Sequence, residues 1–173
     1  QEQLKSQDLK CLCDRTLSRP VADRAVAFPF LSFDLLVQLD NGRVSHLHDG
    51  MEEPLKDSLL ELLTLVYLLN AVVVPLADEM IGPRDLKDAQ FFQGPHALKT
   101  RPLLDLFGHH AGGFRTAAEH LGGQPLSLAD AAYRLKPFPR IPLYYLLWEG
   151  DDEFEPRLSI LFDRTIEKHF AAD

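Results

Sequence analysis

The sequence predicts an α+β fold: one domain with a mainly antiparallel sheet of about five strands, packed by helices around one long buried helix. Three observations carry this reading. Phe33-Asp34-Leu35-Leu36-Val37-Gln38-Leu39 alternates at period two ahead of Asn41-Gly42, the strongest short-range signal for a β-hairpin. Residues 59–76 are apolar on all sides around Leu62-Leu63-Thr64-Leu65-Val66-Tyr67-Leu68-Leu69, as a core helix would be. Residues 131–162 then return to extended runs, so strands flank a helical middle instead of alternating with helices.

Residues 3–17 carry Leu4, Cys11 and Leu12 near one stripe and predict an N-terminal helix. Ser18-Arg19-Pro20 predicts a short helical turn, because Ser caps well and Pro suits a first turn. In the hairpin, 33–48, a two-residue type I′ turn would pair Leu39 with Val44, Val37 with His46 and Leu35 with His48. Phe33, Leu35, Val37, Leu39, Val44, His46 and His48 then share the apolar face. The buried helix is placed at 54–74, with Pro54 near its start and Pro75 at its end. In the helical middle, 84–121, Gly-Pro pairs and Pro102 separate helices at 84–92, 102–107 and 113–121. The last has Phe114, Ala117, Ala118 and Leu121 on one stripe and Gly122-Gly123 as its stop. Strands follow at 131–135, at 141–148 with both faces apolar, and at 158–162, before a terminal helix from Thr165. With no repeat or linker, the 173 residues are expected to form a single domain.

The composition, 46% hydrophobic and 25% charged, is that of a soluble globular protein. A chain of this length needs no disulfide or metal to fold. Against 26 Asp+Glu there are 18 Lys+Arg, a net charge of −8 that weighs against nucleic acid and anionic membrane surfaces as partners. Cys11 and Cys13 lie about 200° apart on a helix and are too few for an iron–sulfur centre. Two free thiols fit a reducing cytoplasm. The first ten residues are polar and do not read as a signal peptide, and the opening on Gln1 instead of Met leaves room for residues before it. Glu61, Asn70 and Pro75 interrupt the apolar stretch below the roughly 20 residues a membrane span needs.

Five of the eight net negative charges fall within residues 149–155, as Glu149, Asp151, Asp152, Glu153 and Glu155. Such a cluster is solvated, matched by arginine or neutralised by a cation, and hard divalent cations prefer oxygen-rich sets of this kind. The spacing is not that of an EF-hand loop. A strand–turn–strand using Asp and Gly for turn chemistry accounts for the same residues. At this stretch the chain resembles an uncharacterised prokaryotic family, a domain of unknown function found chiefly in anaerobic bacteria and archaea. The resemblance rests on W-E-G-D-D-E-F-x-P-R-x-S-I-L-F-D at 148–163. The 33–44 hairpin, Tyr67-Leu68-Leu69 and Leu121-Gly122-Gly123 support it, and it spans nearly the whole chain. Some members are joined to iron–sulfur modules, which implies work alongside redox or corrinoid chemistry, although this chain lacks a four-cysteine module. The resemblance brings no catalytic residue with it.

His46-x-His48-Asp49 places two imidazoles on one strand face, a geometry that metal sites use, and also one that histidines at a sheet edge adopt. His109 and His110 would add to such a site only if their loop folds toward the hairpin. No nucleophile elbow, phosphate loop or dinucleotide fingerprint is present, which points away from an enzyme. The expected function is therefore a cytoplasmic accessory domain that binds a small ligand, cofactor or partner protein. Trp148 and Phe154 would form an apolar wall, Glu149, Asp151, Asp152 and Glu153 the polar lining, and Arg157 would pair with Asp163 across the turn. Two alternatives stand beside it: a metal-dependent enzyme using His46, His48 and the acidic turn with a divalent metal, and a homodimeric scaffold.

Overall fold

Two five-stranded antiparallel sheets carry the fold in the computed structural model, which describes residues 2–48, 50–87, 89–92, 94 and 97–170. The architecture is α+β, with five strands expected and each sheet having that number. The described residues divide into two units, 2–75 with 137–140 and 168–170, and 76–136 with 141–167.

In the first unit, helix α1 (Glu2–Lys5) leads to α2 (Leu9–Thr16), whose cap is Asp8 accepting from the Cys11 N–H at 2.8 Å. Leu4 and Leu12 are buried as expected, whereas Cys11 is exposed and lies off their stripe. Leu17, at φ 55°, ends α2 in the left-handed region. The chain then leaves as strand β1 (Arg19–Ala22), where a helical turn was predicted. Pro20 is at home there, because an outer strand does not need every N–H for pairing. Strands β2 (Ala25–Phe30), β3 (Phe33–Gln38), β4 (Arg43–His48) and β5 (Met51–Pro54) complete a meander in chain order. Neither β2 nor β5 was predicted. Ala25 to Phe28 are buried without alternation, so no period-two signal exists, and β5 is wholly exposed.

The β3–β4 register differs from expectation by two residues: Val37 faces Val44 and Leu35 faces His46. A type I′ turn requires positive φ at both central residues. Here Gly42, at 71°, has it and Asn41 does not. The Gly42 N–H instead closes onto the Gln38 carbonyl at 2.8 Å, and the Leu39 N–H turns to Arg24 O, which leaves Leu39 buried outside the ladder. A slip of two preserves faces, so Leu35, Val37, Val44 and His46 still share a side.

Helix α3 (Ser58–Asn70) begins four residues later than predicted. Pro54 closes β5, and Asp57 supplies the cap by accepting from Leu59 and Leu60 N–H at 2.9 and 3.0 Å. The helix is not buried all round. Thr64, Tyr67 and Leu68 face the core, while Leu59, Leu62 and Leu63 are exposed. Tyr67 stacks on Phe138 at 4.8 Å, sits 5.7 Å from Phe28, and donates its hydroxyl to Thr16 O at 2.8 Å. Two arginines cover helix ends. Arg15 donates to the Leu68, Leu69 and Ala71 carbonyls at the end of α3, and Arg140 to Asp14 and Arg15 carbonyls at the end of α2. Both satisfy acceptors that a helix leaves open at its C-terminus. Burial pushes the Tyr67 phenol well up, so it stays a neutral donor. Tyr67→Phe is expected to cost about 1 kcal/mol in urea unfolding by orphaning the Thr16 carbonyl; an unchanged midpoint would remove this bond from the account.

The second unit contains β6 (Met80–Ile81), α4 (Arg101–Phe107), α5 (Ala111–His120), β7 (Gln124–Leu126), β8 (Ala131–Phe138, whose last two residues count with the first unit), β9 (Ile141–Trp148) and β10 (Arg157–Asp163). Strand order is β6-β10-β9-β8-β7, so β9 is central, as its apolar faces predicted. One face packs Tyr133, Leu147 and Leu158 against Ala111, Phe114 and Ala118 of α5, with Leu103, Leu104 and Phe107 of α4 alongside. The other gathers Ala132, Tyr144 and Leu146 with Trp148 and Leu161. The predicted 84–92 helix is two short 3-10 turns, Pro83–Asp85 and Ala89–Phe92, with Asp88 between them outside the described residues. Asp85 folds back onto Gly82 N–H at 2.9 Å, which favours the tight turn over a longer helix. The terminal helix is likewise 3-10, Arg164–Lys168.

Asp163, 1% exposed, anchors this unit. Its carboxylate accepts from Ala77 N–H (3.1 Å), Asp78 N–H (3.0 Å), Thr165 N–H (3.0 Å) and the Thr165 hydroxyl (2.5 Å). Burial alone would raise this carboxyl, but the four donors outweigh it and hold it below the usual range. A depressed native value means the stabilisation is whole above the ordinary carboxylate pKa and is lost as pH falls through the native one. Asp163→Asn turns an amide donor toward backbone donors and is expected to cost about 2–3 kcal/mol at neutral pH. The gap in urea midpoint between wild type and variant should narrow as pH falls below the ordinary Asp range, about pH 4. A constant gap would mean the carboxylate charge plays no part.

Candidate functional site

The acidic residues occupy the loop between β9 and β10, and most of its geometry is set by α4 and α5 of the same unit. Glu149 Oε1 accepts the Ala111 N–H, the first of α5, at 3.0 Å. A carboxylate at a helix N-terminus is favoured by both the open N–H and the dipole. This bond explains why α5 starts at Ala111, two residues before the predicted start. The Glu149 N–H donates to Asp130 Oδ2 at 2.9 Å, and Gly150 N–H to Gly108 O at 2.8 Å. His109 Nδ1 lies 3.1 Å from Gly150 O, the geometry of a ring N–H donating to that carbonyl.

Two glycines make this approach feasible. A Cβ on Gly150 would stand 2.6 Å from His109 Cε1 and from Pro156 Cδ, and one on Gly108 would stand 2.6 Å from Leu104 O and 2.8 Å from Pro156 Cγ. Gly113 is required in the same way: a Cβ there would meet the His110 ring at 2.7 Å. The His110 imidazole fills the space a side chain at 113 would need, whereas a Cβ at Gly112 would only touch that ring at 3.8 Å.

Beyond the anchor, the loop closes on itself. Asp151 Oδ1 accepts Glu153 N–H (2.8 Å) and Phe154 N–H (2.7 Å), while Asp151 N–H donates to Phe154 O at 2.9 Å. The two backbone donors hold the Asp151 carboxyl below its ordinary range. Glu149 and Asp151 are thus committed to the backbone. Asp152, Glu153 and Glu155 make no side-chain hydrogen bond or ion pair among the described residues, and Phe154 between them is 69% exposed.

The expected apolar wall of Trp148 and Phe154 is not enclosed. Trp148 packs among Ala132, Tyr144 and Leu146, and its ring carries the Arg157 guanidinium 3.9 Å from the centroid. Phe154 stands at the solvent-facing end. Arg157 and Asp163 do not pair: they sit at opposite ends of β10, roughly 20 Å apart at about 3.3 Å per residue. Each has its own partner, Trp148 for one and the Ala77–Asp78 backbone with Thr165 for the other.

His46 and His48 belong to the first unit and the acidic loop to the second. His46 is half-buried, its ring 4.8 Å from Phe33, and His48 is exposed; Asp49 lies outside the described residues. Among the described residues no group of three or more His, Cys, Asp or Glu side chains could hold a metal ion, so the metal-dependent reading gains no support. Asp130 and the Ala111 N–H carry no signal in the sequence, and His109, weighed there as an addition to a metal site at the hairpin, instead contacts Gly150 O.

Residues 8–173 match the model of a family described as a domain of unknown function, DUF3786. The chain belongs to this family. No curated protein and no solved structure matches it. The DUF3786 description names no activity, so the chemistry of the loop rests on its geometry. Among the described residues no helix is long and apolar enough to cross a membrane, α3 being about 20 Å long against a hydrocarbon core of about 30 Å.

The anchor and the tip separate by substitution. Glu149→Ala should cost about 1 kcal/mol, the loss of a helix cap, and Gly150→Ala about 1–3 kcal/mol through overpacking against Pro156 and His109. Asp152→Asn and Glu155→Gln should leave the melting temperature within about 2 °C, as surface changes do. Comparable losses from all four would make the whole loop a structural element.

Proposed function

We propose that this chain is an accessory binding domain that engages a partner protein through the tip of the β9–β10 hairpin. Phe154 enters an apolar pocket on the partner, and Asp152, Glu153 and Glu155 face a basic rim around it. The observation that carries this reading is the exposure of Phe154 between three unmatched carboxylates on a rigidly anchored loop. An exposed aromatic costs solvation in the free protein and is the residue type that anchors interfaces. Matched charges would steer association and set register.

A projecting tip suits a protein surface better than a small molecule, since small-ligand sites are concave and enclose most of their ligand. The Trp148 face that would line such a pocket is taken by Arg157. Anchoring keeps the tip in one shape, so binding has little loop entropy to overcome.

Affinity capture from the source cell, run in parallel with wild type, Phe154→Ala and the triple variant Asp152→Asn/Glu153→Gln/Glu155→Gln, tests the proposal. A partner retained by wild type should be lost from Phe154→Ala and reduced in the triple variant. Its retention should weaken as salt rises from about 50 to 300 mM, because exposed charge pairs are screened. Equal capture by all three proteins, each with an unchanged melting temperature, overturns it.

A further inference from the structure

We draw no further inference here: the strongest candidate, the apolar stripe that Leu59, Leu62 and Leu63 leave exposed along α3 of the first unit, carries nothing because no feature of the structure shows what covers it, whether a second copy or another chain.

Discussion

The candidate site depends on one contact, the Glu149 carboxylate on the first N–H of α5. It joins the end of the central strand β9 to the α4–α5 junction, across thirty-eight residues of chain. Around it the Gly150–Gly108 bond, the His109–Gly150 contact and the Asp130 carboxylate on Glu149 N–H fix the loop's departure from the sheet. A Cβ at either glycine would press on Pro156, and on Leu104 O or the His109 ring as well, so the glycines at 108 and 150 are part of the same device.

That arrangement divides the acidic residues by role. A cluster of five carboxylates reads at first as one feature with one purpose. Three of them are left to solvent, while Glu149 and Asp151 satisfy backbone donors that would otherwise be open. Anionic side chains suit this work because two oxygens accept several N–H groups at once. Asp163 repeats the device at the other end of β10, where it serves four donors. Three carboxylates on this hairpin and its flanks therefore act as backbone clamps.

Arginine does the converse in the first unit. Arg15 and Arg140 face helix C-termini, where carbonyls are open, and their guanidinium forks span more than one acceptor. Helix ends in both units are thus closed by side chains distant in sequence. Local capping residues, Asp8 and Asp57, close two of the N-termini.

By itself the sequence determined the fold class, the central strand at 141–148, the helices near 102–107 and 113–121, and which residues of the hairpin share a face. Each follows from short-range rules: period-two alternation, apolar spacing and glycine stops. It also marked 148–157 as the place to look, from charge density alone. That the strands form two sheets of five and not one was decided in three dimensions, because β2 is buried without alternation and β5, β6 and β7 are too short or too exposed to leave a pattern. The hairpin register was decided there too, by Leu39 leaving the ladder for the core. So was the division of the acidic loop into anchor and tip. Which carboxylate meets a helix N-terminus depends on residues 108–111 and 130 arriving beside 149–150, and no local pattern encodes that meeting.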